Sequence, residues 1–135
     1  MSRRWYALAV VALLPLMMAH GDGCGCGDAS IELGPPTGAT CPPGSTLTYA
    51  SFGQQFMESY CTSCHASTLT GEARQGAPEF HDFDTIGGIR NVAGHIDQMA
   101  GSGPNATNTG MPNEDPAPTM AERQQLAEWI ACGAP

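Results

Sequence analysis

Cys61, Cys64 and His65, in the run Cys61-Thr62-Ser63-Cys64-His65, are the residues of this chain whose types and spacing fit one defined chemistry. Two thiols three positions apart on a helical turn can add to the two vinyl groups of a haem. The histidine that follows then lies over the iron as its proximal ligand. A C-x-x-C pair by itself also serves as a redox dithiol or as half of a zinc site. The adjoining histidine favours covalent attachment of a c-type haem, and a single copy of the motif implies one haem.

Iron with one axial ligand is open on its other face, and the residue there separates electron transfer from ligand chemistry. The candidates are His81, His95, Met57, Met99, Met111 and Met120. Met57 belongs to the attachment helix and is too local to reach across a haem. Met120 falls in the first turn of the last helix, where core packing is the ordinary role. His95 and Met99 share one helical face and compete for the position. Met111 is preferred because it stands in a loop, 46 positions after His65 and directly before Pro112, which stiffens the backbone. Such a loop can wrap over the open face without driving a helix through it. An unligated distal face is the remaining alternative.

These residues need elements to hold them. Ser51 to Cys64 reads as a helix capped at Ser51, with Phe52, Phe56 and Tyr60 recurring at every fourth position as one aromatic face. Ala66 to Phe83 is loop-rich; Pro78 lies where it can pass the proximal side, and His81 looks exposed among Glu79, Asp82 and Asp84. Asp84 to Met99 predicts a second helix through Ile86, Ile89, Val92 or Ala93, and Ile96, started by Asp84 or Thr85. Gly87, Gly88 and Gly94 weaken its regularity. Residues 101 to 118 form a loop dense in Gly, Pro, Asn and Thr, with Met111 inside it. Thr119 and Glu122 have capping-box spacing, and Leu126, Trp129 and Ile130 give the last helix an apolar stripe that ends at Gly133. That stripe is expected to pack on the aromatic face of the first helix.

Upstream, Arg3 and Arg4 precede a nearly unbroken apolar run from Ala7 to Ala19 and then small residues, the pattern of a secretory signal. The run is short for a membrane span, and a retained anchor is the alternative. Cys24 follows Gly23, but Asp22 and Gly21 are poor neighbours for lipoprotein processing, so soluble export is expected ahead of a lipid anchor through Cys24. The bacterial periplasm is the expected compartment. Export also permits a disulfide, for which Cys41 and Cys132 are the candidates; Cys24 and Cys26 stay unassigned. From Asp22 onward the chain carries 13 acidic residues, three arginines and no lysine. Such a surface repels nucleic acid and anionic lipid and favours a basic partner at low salt.

The chain resembles the class I, mono-haem cytochrome c domain of the bacterial exported type over about residues 49 to 133. The likeness rests on Gly53-x-x-Phe56, Cys61-x-x-Cys64-His65, Met111-Pro112 and the terminal Leu126-x-x-Trp129-Ile130 helix. It implies an all-α fold, a small helical domain wrapped around one covalently bound haem c. It implies thioether links through Cys61 and Cys64, His65 and Met111 as axial iron ligands, and the backbone carbonyl of Pro78 near the proximal imidazole. The glycine-rich middle helix and the cysteine-bearing leader depart from the simplest pattern of that family. The expected organisation is a signal peptide at 1–21, an irregular leader at 22–48 and the haem domain at 49–135.

Histidine and methionine together saturate iron in both oxidation states, so an electron passes with little rearrangement, and a methionine ligand tends to raise the potential. The expected function is a one-electron carrier between larger redox proteins of a periplasmic chain, with no enzymatic activity of its own. Two alternatives require an open or displaceable distal position: a peroxidase-like enzyme, with His95 as acid-base group, and a sensor or binding module for small gases.

Overall fold

The structure is a computed structural model that describes residues 32–135. The segment expected to be a signal peptide, Cys24 and Cys26 lie outside the described residues. Among the described residues the architecture is a small helical domain without a sheet; β pairing is limited to one isolated antiparallel bridge, Ser102 to Thr107. None of these helices is long and apolar enough to cross a membrane.

The first helix is capped by Thr48, three residues before the predicted Ser51 cap. Extended Thr48 accepts from the Ser51 N–H at 3.0 Å, and the Ser51 hydroxyl accepts from the Thr48 N–H at 2.9 Å. Ser51 therefore closes a capping box instead of opening the helix. A π turn, Tyr49–Gly53, leads into α1, Gln54–Tyr60. α1 stops before the cysteines, and Cys61 to His65 form their own turn, with the His65 N–H on the Cys61 carbonyl at 2.9 Å.

The predicted second helix is two pieces, α2 (Ile86–Asn91) and α3 (Ala93–Ala100), separated at Val92, whose φ of -126° and ψ of 25° break the helical path. Thr85 caps α2 by accepting from the Gly88 N–H at 3.1 Å. The apolar period still holds across the break: Ile89 and Ile96 are buried, and Ile86 and Val92 pack beside them. α4, Met120–Ala131, begins with the Thr119/Glu122 capping box that its spacing predicts. Met120 itself points to solvent and is 51% exposed, so it does not take the core position expected of it.

Trp129 and Leu126 of α4 are fully buried with Met57 and Ile89. Burying each such side chain contributes about 1.5–3 kcal/mol. Trp129 meets Phe52 edge-on at 6.0 Å between ring centroids, and Phe52, Phe56 and Tyr60 pack in series along the first helix. The close approach depends on Gly53, where a Cβ would run into the Trp129 indole.

From Glu32 onward the leader is tied to this body. Cys41 and Cys132 are disulfide-bonded, joining it to the end of α4. The Thr37 N–H donates to the Asp97 carboxylate at 2.9 Å, the Gly34 N–H to the Gln98 carbonyl at 3.1 Å, and the Ser45 hydroxyl to Glu128 at 2.6 Å. Irregular backbone with few partners of its own is thereby ordered by α3 and α4.

Candidate functional site

Cys61 and Cys64 are unbridged, whereas Cys41 and Cys132 are bonded to each other. Burial pushes the Cys61 thiol up to about 12; the Arg123 guanidinium pulls it back in part, and Cys64 adds to the rise. A thiol held neutral in this way is unlike a redox-active dithiol, whose attacking cysteine is exposed and acidified. Among the described residues no three His, Cys, Asp or Glu side chains come together to hold a metal ion.

His65 is fixed by its surroundings. Its Nδ1 lies 3.2 Å from the His81 carbonyl oxygen. A carbonyl can only accept, so Nδ1 carries the proton and Nε2 keeps its lone pair. Burial holds the imidazole below its ordinary pKa, against the opposing pull of the His81 carbonyl, which keeps the ring neutral at neutral pH. Phe83 stacks on one face of the ring, with centroids 4.4 Å apart and planes 13° apart, and the Phe83 N–H donates to the His65 carbonyl at 2.7 Å. Stacking covers a π face, whereas the Nε2 lone pair points outward in the ring plane.

The Pro78 carbonyl, expected beside the imidazole, is engaged elsewhere: it accepts from Arg74 Nη2 at 2.8 Å and from the His81 N–H at 3.3 Å. The reason is Arg74, a buried guanidinium that gathers the whole loop. It donates to the carbonyls of Ala66, Ala77, Pro78 and His81, and pairs with Asp82 at 3.0 Å. Drawn inward by these bonds, the loop puts the His81 carbonyl on His65. His81 is consequently half-buried, its ring centroid 6.1 Å from that of His65 and 5.5 Å from that of His95. His95 thus stands beside the loop that supports His65.

Met111 is half-buried against the same core cluster as Cys61. Its N–H donates to the Met99 carbonyl, and its own carbonyl accepts from Arg123, both at 2.9 Å. Met99 lies under Gly110, where a Cβ would press on its terminal methyl. A separate cleft of about 250 Å³ between Phe52 and Phe56 on one side and Glu122 and Gln125 on the other contains none of Cys61, Cys64, His65 and Met111.

Arg74, Arg123 and Phe83 escape a reading for motifs. The available signal was scarcity: a chain with three arginines and no lysine past Asp22 has few cations to spend. All three donate to backbone carbonyls, Arg90 to that of Ala134 at 2.8 and 3.0 Å. Among the described residues, then, carboxylates such as Glu79, Glu114 and Asp115 dominate the exposed charge.

Comparison with protein-family models, with curated proteins and with solved structures finds no match to this chain.

Proposed function

We propose that this chain is a one-electron carrier built on a single covalent haem c, attached through Cys61 and Cys64 and ligated axially by His65 and Met111. The observation that carries the reading is the Cys61–His65 turn itself: two unbridged thiols beside an imidazole whose Nδ1 is held by a backbone carbonyl, which leaves the lone pair on Nε2. A ligating histidine needs its second nitrogen held in this way, because that fixes both tautomer and ring orientation.

The donor set fits the group. Two thiols suit thioether attachment, an imidazole and a thioether suit low-spin iron, and Met111 packs on the same apolar cluster as Cys61. When bound, the haem would supply reversible Fe(III)/Fe(II) exchange. The chain's own part is to hold the imidazole through His81 and Phe83, to hold the thioether loop through Met99 and Arg123, and to keep water from the apolar side through Phe56, Met57 and Trp129. Its partners would be redox proteins with basic docking surfaces, matched to the carboxylates outside, and its compartment the bacterial periplasm.

The test is production in a host able to mature c-type centres, followed by haem staining on a denaturing gel and spectra of both oxidation states. Stain retained by the chain and lost in Cys61→Ser/Cys64→Ser, with low-spin spectra, supports the carrier. A chain isolated without covalent porphyrin removes the proposal, and a high-spin haem that binds carbon monoxide readily replaces the carrier with an open-site protein.

A further inference from the structure

We propose that Arg123 is the positioning residue for the distal ligand: from inside α4 it holds the backbone of the Met111 loop and so fixes where the Met111 thioether stands. This inference rests on the reading of Met111 as an axial ligand.

Residues 101 to 118 are rich in Gly, Pro, Asn and Thr and contain no regular helix, so nothing local gives Met111 one position. The Ser102–Thr107 bridge and the Asn108 side chain order the first half of the segment, and one atom of Arg123 joins that half to Met111. Arg123 is 4% exposed, and its Nη1 donates to the carbonyls of Ala100 at 3.0 Å, Asn108 at 3.0 Å and Met111 at 2.9 Å. Those acceptors are the last residue of α3, the middle of the loop and the ligand residue itself. The Arg123 backbone carbonyl also accepts from the Ser102 N–H at 3.0 Å, so the residue grips the segment from both its side chain and its main chain.

Arginine suits this task chemically. It is always charged, and its planar group offers five donors in a fixed fork, so converging carbonyl dipoles can face it without any proton leaving. Two protons on Nη1 serve three acceptors, which is a shared, three-centre arrangement. No salt bridge to Arg123 is present among the described residues, where Arg74 pairs with Asp82; the Arg123 charge is met by the loop's carbonyl oxygens. With the Met111 N–H on Met99, both polar groups of the Met111 backbone are fixed, one by α3 and one by α4. Cys61 and Met111 pack against the same core cluster, and the Arg123 charge acts on the Cys61 thiol as well.

The experiment uses the haem-loaded protein and three variants: Arg123→Met, which keeps the aliphatic stem; Arg123→Lys, which keeps the charge and three donors; and Arg90→Met. Arg90 is the control because it clamps Ala134 and touches neither ligand loop. The readouts are the far-red methionine-to-iron charge-transfer band, displacement of methionine by added imidazole, and thermal unfolding. Hydrogen bonds to a charged donor are stronger than neutral ones, so loss of the clamp should make imidazole displacement at least about tenfold easier. We expect that gain in Arg123→Met with a weakened band, partial recovery in Arg123→Lys, and wild-type behaviour in Arg90→Met whatever its melting temperature. If Arg123→Met does not fold, Arg123→Lys read below its melting temperature carries the comparison, with an intermediate gain expected. Wild-type imidazole affinity in the folded Arg123 variants overturns the clamp while leaving the ligand assignment standing. A wild-type protein with covalent haem and no methionine band overturns that assignment, and the clamp with it.

Discussion

Arg74 and His65 share one acceptor: the His81 carbonyl oxygen lies 3.2 Å from Arg74 Nη2 and 3.2 Å from His65 Nδ1. A buried cation thus fixes the atom that orients the imidazole. Arg74→Met would take one donor from each of the carbonyls of Ala66, Ala77, Pro78 and His81 and leave Asp82 without its partner. We expect a loss of about 3 kcal/mol, read as a lower denaturant midpoint by circular dichroism. A midpoint within experimental error of wild type would show that the loop holds itself.

On the proposed ligation, with thioethers at Cys61 and Cys64, Met111→Ala should leave the haem attached yet abolish the far-red methionine band and open the iron to carbon monoxide. Met99→Leu should keep the band, since Met99 serves Met111 through its backbone carbonyl. If Met99→Leu loses the band and Met111→Ala keeps it, the distal assignment moves one helix upstream.

The Cys41–Cys132 bridge closes a sequence separation of 91 residues. Cross-linking a loop of that length restricts the unfolded chain by about 4–5 kcal/mol in the entropic treatment, although such bonds often deliver less. Cys41→Ser/Cys132→Ser should lower the melting temperature and loosen residues 32–48 to protease, while haem staining persists. Unchanged protease resistance there would mean that the Thr37–Asp97 and Ser45–Glu128 bonds suffice.

Gly53→Ala places a methyl against the Trp129 indole, which is fully buried and has little room to yield. Overpacking of this kind costs about 1–3 kcal/mol. Thermal unfolding measures it, and a stability equal to wild type would mean that the two helices separate freely.

Glu122 accepts from the Thr119 hydroxyl and N–H and from the Tyr60 hydroxyl, and these bonds, Thr119 first, hold its carboxyl below the ordinary value of 4.5. A carboxylate whose folded pKa is depressed adds stability above its unfolded pKa and loses it as pH falls through the folded one. Glu122→Gln should therefore be less stable at neutral pH and lose less on acidification from about pH 6 to about pH 3. Parallel pH–stability curves for the two proteins would exclude the capping box as a source of acid sensitivity.

Elements set by near neighbours were legible in the sequence. The Thr119/Glu122 cap, the Leu126/Trp129 stripe and the Ile89/Ile96 face all depend on spacings of three to seven residues, and each stands where those spacings put it. The first helix is capped three residues before Ser51 because Thr48 and Ser51 are both good caps, and Thr48 is the one that places Ser51 inside a reciprocal box. The second helix breaks at Val92, between Gly88 and Gly94, so the glycines that weaken it mark the irregular stretch without naming the residue at which it breaks.

By itself the sequence determined the chemistry on offer: Cys61, Cys64 and His65 are neighbours in the chain, so their meeting costs no long loop closure and needs no fold to be foreseen. The tertiary structure alone decided which carbonyl stands behind His65 and what holds Met111. Every residue carries a carbonyl oxygen, so the letters cannot say that His81 takes the place expected of Pro78. That choice belongs to Arg74 and Arg123, whose buried charges must be met by oxygens and which therefore pull the two loops into the paths that satisfy them.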